Sequence, residues 1–362
     1  MRWGIYGAYG YTGRLIAAEA VTRGQRPLLA GRDAARLAPL ADSLGLEWRA
    51  FGLEDEAALA REVEPLDLVL HAAGPFSRTS APMVNACLEA RTHYLDITGE
   101  IPVLEAIYAR DADARHAGIA LLPAVGFDVV PSDCLALHVA DRVAAQRGSA
   151  EDAPLELEIA IAPSGRASAG TTRTVLASLA GRRTLGLVRR GGRLVERRLG
   201  ETRRMRFSDG REREALIGIP WGDLASAYRT TAARDITILM ASRPMARVAA
   251  LAPVLGRLLA IKRVGRLVES AVARLVEGPD EAARRTGRSL LWARAEDAEG
   301  REAEAWMETA EGYRFTALAA VTCVERTLAE RPQGALTPAG AFGPDLALAI
   351  GGTRRLDAIG SA

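Results

Sequence analysis

The stretch "GIYGAYGYTGRLIAAEA", residues 4–20, decides the fold. A short apolar run leads into glycines at every third position, Gly7, Gly10 and Gly13, and an alanine-rich helical pattern follows. A strand that feeds a glycine bend and then a helix presents backbone N–H groups and the positive end of the helix dipole, and both attract phosphate. In such a bend Gly7 permits the tight turn, Gly10 lets the backbone approach a pyrophosphate, and Gly13 lets helix and strand pack closely. The spacing of three and three widens the turn, and Thr12 adds a hydroxyl for the phosphate oxygens. Two tyrosines, Tyr9 and Tyr11, flank Gly10. Tyr11 covers the phosphates or lines the nicotinamide side, or else packs on the loop after the fourth strand.

Outward from this bend, apolar segments at 2–6, 26–32, 46–53, 66–74, 93–99 and 119–126 alternate with helical patterns at 12–23, 33–44, 55–63, 80–92 and 101–118. That alternation predicts an α/β fold, a Rossmann-type doubly wound parallel sheet with helices on both faces. At the end of the second strand an NAD site would want an acidic side chain for the ribose hydroxyls. Here stand Gly31 and Arg32, with Arg36 one helical turn on, while Asp33 is assigned to capping the next helix. Guanidinium groups at this place suit a 2′-phosphate, so the cofactor is read as NADP(H). "HAAGPF" (71–76) ends the fourth strand, where Ala73, Gly74 and Pro75 offer smooth backbone to a ribose and Phe76 a platform. "YLDITGE" (94–100) ends the fifth, bringing Asp96, Thr98, Gly99 and Glu100 near the expected nicotinamide. "GFDVVPSD" (126–133) ends the sixth with Phe127 and Asp128.

After Pro131 the pattern changes to mixed helices and antiparallel-like strands: a helix near 132–146, an alternating strand in "APLELEIAIAP", and a hairpin over 289–312. The organisation expected is an NADP-binding domain at 1–133, an α+β substrate domain at 134–312, and a C-terminal helix and tail, 313–362, returning to the first domain. The hairpin offers an edge through which two copies could form a homodimer.

Composition narrows the function. A net charge of +2 without basic runs excludes nucleic acid as a partner. Cys87, Cys134 and Cys323 are odd in number and lie in apolar surroundings, reading as reduced core residues of a cytoplasmic protein, with no secretory leader expected. The apolar segment 244–276 is broken by Arg247, Pro253 and Arg257, so it reads as a cover for an apolar pocket or a peripheral membrane or lipid contact, not a span. Four dispersed histidines give no metal-ligand spacing. Lys262 is the sole lysine, which removes a tyrosine–lysine catalytic pair and makes a Schiff-base mechanism improbable.

Together "GAYGYTG", "LAGR", "HAAGPF", "YLDITGE" and "GFDVVPSD", with "SAGTTRT" (168–174), "IPWGDLASAYRTT" (219–231) and "GALTPAGAFG" (334–343), resemble the saccharopine dehydrogenase-like oxidoreductases, near the trans-acting enoyl reductase branch. The resemblance implies an NADP(H)-dependent oxidoreductase acting on a small molecule. The reaction expected is reduction of a C=C or C=N bond on a hydrophobic or carrier-linked substrate. A saccharopine-type amino-acid dehydrogenase and an NADP(H)-binding regulatory protein without turnover stay as alternatives. Hydride transfer needs a proton donor or polarising group. The candidates are Asp128, Glu100 and Tyr94, in that order, with Thr171 and Thr172 behind them. Each has a structural alternative: Asp128 and Glu100 as helix caps, Tyr94 as sheet packing.

Overall fold

The computed structural model describes residues 1–147, 155–164, 186–242 and 279–359. The apolar segment 244–276 and the threonines of 168–174 lie outside the described residues. The chain forms two compact units, Met1–Val130 with Tyr313–Gly351, and Pro131–Gly312 with Gly352–Ala362.

In the first unit the strands are β1 (Trp3–Tyr6), β2 (Leu28–Gly31), β3 (Trp48–Ala50), β4 (Leu68–His71), β5 (His93–Asp96) and β6 (Ala120–Leu122). The helices between them are α1 (Tyr11–Thr22), α2 (Ala34–Leu44), α3 (Glu56–Val63), α4 (Phe76–Ala90), α5 (Ile101–Tyr108) and α6 (Asp111–Ala117). A short strand, Gly334–Ala335, completes a sheet in the order Gly334–Ala335, β6, β5, β4, β1, β2, β3, with every pairing parallel. Residues of β1, β2 and β4 are buried along their whole length, as strands covered by helices on both faces require. The order of the strands reverses between β1 and β4, and open α/β sheets bind ligands at the carboxyl ends beside such a point. This is the doubly wound fold expected from the alternation of apolar runs.

Departures from the pattern have local causes. The helix read as 101–118 breaks into α5 and α6 around Ala109 and Arg110. Arg110 Nη1 donates to Asn85 Oδ1 (3.0 Å) and Asp111 Oδ1 accepts from the Ala335 N–H (2.8 Å), so tertiary bonds set a new axis. Helix α4 starts at Phe76, not 80, because its cap comes from a residue on another loop, described below. The C-terminal helix, Gly312–Glu330, is tied to the end of α1 by Arg23, whose guanidinium reaches Thr322 Oγ1 (3.0 Å), Glu325 (2.9 Å) and the Leu318 carbonyl (3.3 Å).

In the second unit α7 (Val130–Arg147) precedes β7 (Leu155–Ala162), β8 (Gly186–Arg190), β9 (Arg193–Arg197), β10 (Thr202–Arg206), β11 (Glu212–Ile217), β12 (Asp235–Met240), β13 (Arg288–Asp297) and β14 (Glu302–Ala310). With the strand Arg354–Leu356 these make a nine-stranded sheet among the described residues. Its path runs β10, β11, β12, β7, β13, β14 and Arg354–Leu356, with the β8–β9 hairpin branching from β12. Although its alternation reads as antiparallel, β7 is parallel to β12 and antiparallel to β13, so the sheet is mixed. Residues 223–231, inside a quoted motif, form a helix that no periodicity announced. At the β13–β14 turn Asp297 accepts from the Glu299 and Arg301 N–H groups (3.0 Å each) and from Arg147 (3.0 Å) and Arg301 (2.8 Å) side chains.

The tail does not all return to the first unit, because Arg354–Leu356 pairs with β14 over Trp306–Glu308. That pairing covers three residues on the outer side of β14, while β7 covers β13 on the other side of the hairpin.

His93 joins the starts of β5 and β6, its Nδ1 accepting from the Ala120 N–H at 2.9 Å. Burial, helped by the Arg331 cation, holds this imidazole below its ordinary value of 6.5. A neutral folded imidazole contributes stability that is present above the unfolded value and is lost as pH falls below it. Denaturant unfolding at pH 7.5 and pH 5 should therefore show a smaller acid loss in His93→Asn, whose amide oxygen accepts at any pH, than in the parent chain.

Candidate nucleotide-binding site

The glycine bend is held by contacts that no larger residue permits. Gly7 has φ +87, and a Cβ on it would lie 2.8 Å from the Ala72 carbonyl carbon and from the N and Cβ of Ala73. On Gly13 a Cβ would lie 2.4 Å from the Gly7 carbonyl oxygen and 2.9 Å from Ala8 Cα. Gly10, the N-cap of α1, supplies no side-chain cap, and its own N–H donates to the Gly7 carbonyl (3.0 Å). The loop after β1 therefore rests directly on the loop after β4, with a twelve-residue helix starting at its rim. This cradle fits a dinucleotide phosphate: backbone packed to contact distance, and a helix start without a side-chain acceptor of its own. Thr12 lies in the first turn of that helix, half-buried.

At the end of β2, Asp33 accepts from the Arg36 N–H (3.3 Å) as the N-cap of α2, so its carboxylate serves the helix. Arg32 is exposed and has no hydrogen bond or ion pair among the described residues. Arg36 stacks its guanidinium 4.4 Å above the Tyr9 ring. Tyr9 in turn lies on Gly31, where an added Cβ would meet the ring at 2.7 Å. Tyr9 thus packs over the end of β2 and carries a cation on its outer side. Tyr11 stands edge-on to Tyr313 of the C-terminal helix at 5.0 Å, a partner 302 positions away that no local pattern could name.

The carboxyl ends of β4, β5 and β6 sort the acid candidates. Both oxygens of Glu100 are used at the start of α4, accepting from the N–H groups of Phe76 (2.9 Å) and Ser77 (3.0 Å). It caps α4 and not the helix it precedes, a role worth about 1 kcal/mol for such a cap. Tyr94 is fully buried and donates to Asp96 Oδ2 at 2.7 Å. Asp96, also fully buried, accepts at Oδ1 from the N–H groups of Thr98 (2.9 Å) and Ala124 (2.8 Å). Burial raises its pKa to about 6 although these donors pull the other way. The polar side-chain atoms of Tyr94 and Glu100 are thus committed to hydrogen bonds within the fold. Asp128 differs. Its carboxylate lies over Gly99, 2.9 Å from where a Cβ would be, and has no hydrogen bond among the described residues. Burial pushes it up to about 6, yet part of the residue still meets solvent.

Ala73, Gly74 and Pro75 form an open turn with the last two exposed, but Phe76 and Phe127 depart from expectation. Phe76 is buried edge-on to His71 (5.4 Å), and Phe127 edge-on to Phe315 (6.0 Å), so both rings pack the core and offer no stacking platform. The Phe127 N–H donates to Thr316 Oγ1 (3.0 Å), and Gly126 faces the same threonine. Thr316, Tyr313 and Thr79 of α4 belong to the site's frame, and the sequence reading passed over all three. Among the described residues no cluster of His, Cys, Asp and Glu could hold a metal ion, and no helix is long and apolar enough to cross a membrane.

Fold and cradle together define a dinucleotide-binding domain. Residues 3–122 match the family model of the saccharopine dehydrogenase NADP binding domain, which covers the strands and helices of the first unit up to β6. The chain is 33% identical over 178 residues to the trans-acting enoyl reductase of Mycobacterium ulcerans, covering 47% of this chain and 42% of that protein. To the trans-acting enoyl reductase of Mycobacterium tuberculosis it is 34% identical over 137 residues, 36% of this chain and 33% of that one. The matched segments thus span less than half the length of these relatives. Among solved structures the apo saccharopine dehydrogenase (L-Glu forming) of Saccharomyces cerevisiae matches with a TM-score of 0.62 over 96% of both chains at 13% identity, a likeness of fold.

Fluorescence titration should show NADPH binding tighter than NADH, and Arg32→Glu should reduce that preference by about tenfold or more, the effect of losing one charge-assisted contact. Gly13→Val should bind neither, because its side chain meets backbone.

Proposed function

We propose that the protein is an NADPH-dependent reductase of a C=C or C=N bond on a hydrophobic or carrier-linked substrate, with Asp128 as proton donor. The observation that carries the reading is the Asp128 carboxylate itself: raised to about 6, without a hydrogen-bond partner among the described residues, and beside Gly99 at the carboxyl end of the sheet whose glycine bend fits the dinucleotide. Tyr94, Asp96 and Glu100 are occupied by structural bonds, so no nearby acid of this loop cluster competes for the role. Gly7, Gly10, Gly13 and Thr12 would hold the pyrophosphate. Arg32 would take the 2′-phosphate, with Arg36 held beside it on Tyr9. The turn Ala73–Pro75 and Gly99 supply backbone without bulky side chains along the rest of the cofactor.

When bound, NADPH supplies a hydride to the electrophilic carbon. The chain's task is to hold that carbon and deliver one proton to the neighbouring atom, the α-carbon of a conjugated C=C or the nitrogen of an imine. A carboxylic acid near pKa 6 is a competent donor close to neutral pH and returns to the protonated state from solvent. The preference for an acyl chain rests on the relatives named enoyl reductases and on the apolar sequence of 244–276. The second unit, which carries no nucleotide motif, is assigned the substrate.

The experiment is NADPH oxidation with a 2-enoyl thioester of medium chain length, set against an imine formed from an amino acid and a keto acid. Turnover of the thioester is expected. NADPH binding with turnover of neither would support the regulatory alternative. Asp128 must be protonated to act, so the rate should be highest below pH 6 and fall as pH rises through it. Asp128→Asn should lose about 10²-fold or more in kcat, the usual weight of a general acid, and flatten that limb. Unchanged turnover in Asp128→Asn would remove the assignment.

A further inference from the structure

His71 ends β4 and is fully buried, in a strand whose other residues, Leu68, Val69 and Leu70, are apolar. Its ring stacks on Tyr6 at 5.5 Å and meets Phe76 edge-on at 5.4 Å. A leucine or phenylalanine would fill such a place without burying polar atoms. The imidazole leaves Nδ1 buried with no partner, a cost that packing alone does not explain.

The other nitrogen explains it. Nε2 lies 3.0 Å from Thr79 Oγ1, in the first turn of α4. That hydroxyl is 2.7 Å from the Ala73 carbonyl oxygen and 3.1 Å from that of Pro75. A hydroxyl has one proton to donate. With that proton on Ala73, the shorter contact, His71 must be the donor to Thr79, which makes it the neutral Nε2–H tautomer. Burial pushes the imidazole down to about 3, so this arrangement persists at every working pH. The relay therefore runs in one direction, from His71 N–H to Thr79, and from Thr79 O–H to the backbone of the Ala73–Pro75 turn.

That turn is the surface against which the glycine bend rests, since a Cβ on Gly7 would be 2.8 Å from Ala72 and Ala73 atoms. A shift of a few tenths of an ångström in Ala73 changes the width of the cradle. We propose that the His71–Thr79 relay is a positioning device for the nucleotide site, holding the Ala72–Pro75 turn at the height that lets the glycine bend accept a dinucleotide. This rests on the NADPH reading of the same bend.

The test measures NADPH affinity, steady-state kinetics and thermal transition for the full chain and for Thr79→Val, Thr79→Ser and His71→Phe. Thr79→Val keeps the shape and removes the hydroxyl. It should weaken NADPH binding about tenfold, the weight of one buried hydrogen bond, and raise KM for NADPH without lowering kcat at saturation. Thr79→Ser restores the donor and should return affinity to within about twofold of the parent, a difference smaller than one hydrogen bond. His71→Phe should reproduce Thr79→Val, and where it fails to fold, the valine–serine pair decides. Parent-like affinity in a folded Thr79→Val, or equal losses in the valine and serine variants, would overturn the relay. A parent chain that binds no NADPH would overturn the relay together with the nucleotide reading, an outcome separate from these.

Discussion

The first unit is built around one close approach. The Gly7 carbonyl lies where a side chain on residue 13 would have to start, and Gly7 itself lies against the Ala72–Ala73 backbone. These two contacts bring α1, β1 and the loop after β4 together at the point where the strand order reverses. With the cradle fixed so tightly, the remaining groups need only be hung on its rim. Tyr9 on Gly31 carries Arg36, Asp33 leaves the ribose position to hold α2, and Arg32 extends into solvent beside them.

The opposite side of the sheet shows a second economy. Asp96 gathers Tyr94, the Thr98 N–H and the Ala124 N–H on one buried carboxylate, which locks the β5 and β6 ends to each other. Hydrogen bonds to a charged acceptor are each worth about 1.5–3 kcal/mol, enough to hold an acid in place despite its burial. Glu100 similarly joins the β5 loop to α4. With these two committed, Asp128 stays apart, its pKa raised by burial and not offset by donors. Asp128 is the acid of this cluster that builds least, and on that ground it is the one proposed as proton donor.

The order of apolar runs made the parallel sheet legible, and the glycine spacing made the bend legible, because both are local signals with one physical meaning. Asp33 was readable as a cap for the same reason. What stayed hidden depends on residues far apart in the chain. Glu100 caps a helix that begins 24 positions earlier. Thr316 accepts from Phe127 across 189 positions, and Tyr313 covers Tyr11 from the C-terminal helix. Phe76 was read as a platform and Phe127 as a cofactor-side residue because they follow strand ends, but periodicity does not say which way a loop residue turns. Nor does alternation distinguish a strand with a parallel neighbour on one side from a purely antiparallel one, as β7 demonstrates.

The whole account stands on phosphate recognition by backbone at the chain's first turn. Crystals grown with NADPH test it most directly. The account requires density for the diphosphate against the main-chain N–H groups at the start of α1 and for the 2′-phosphate beside Arg32. A dinucleotide bound elsewhere, or a 2′-phosphate with no guanidinium near it, would contradict it.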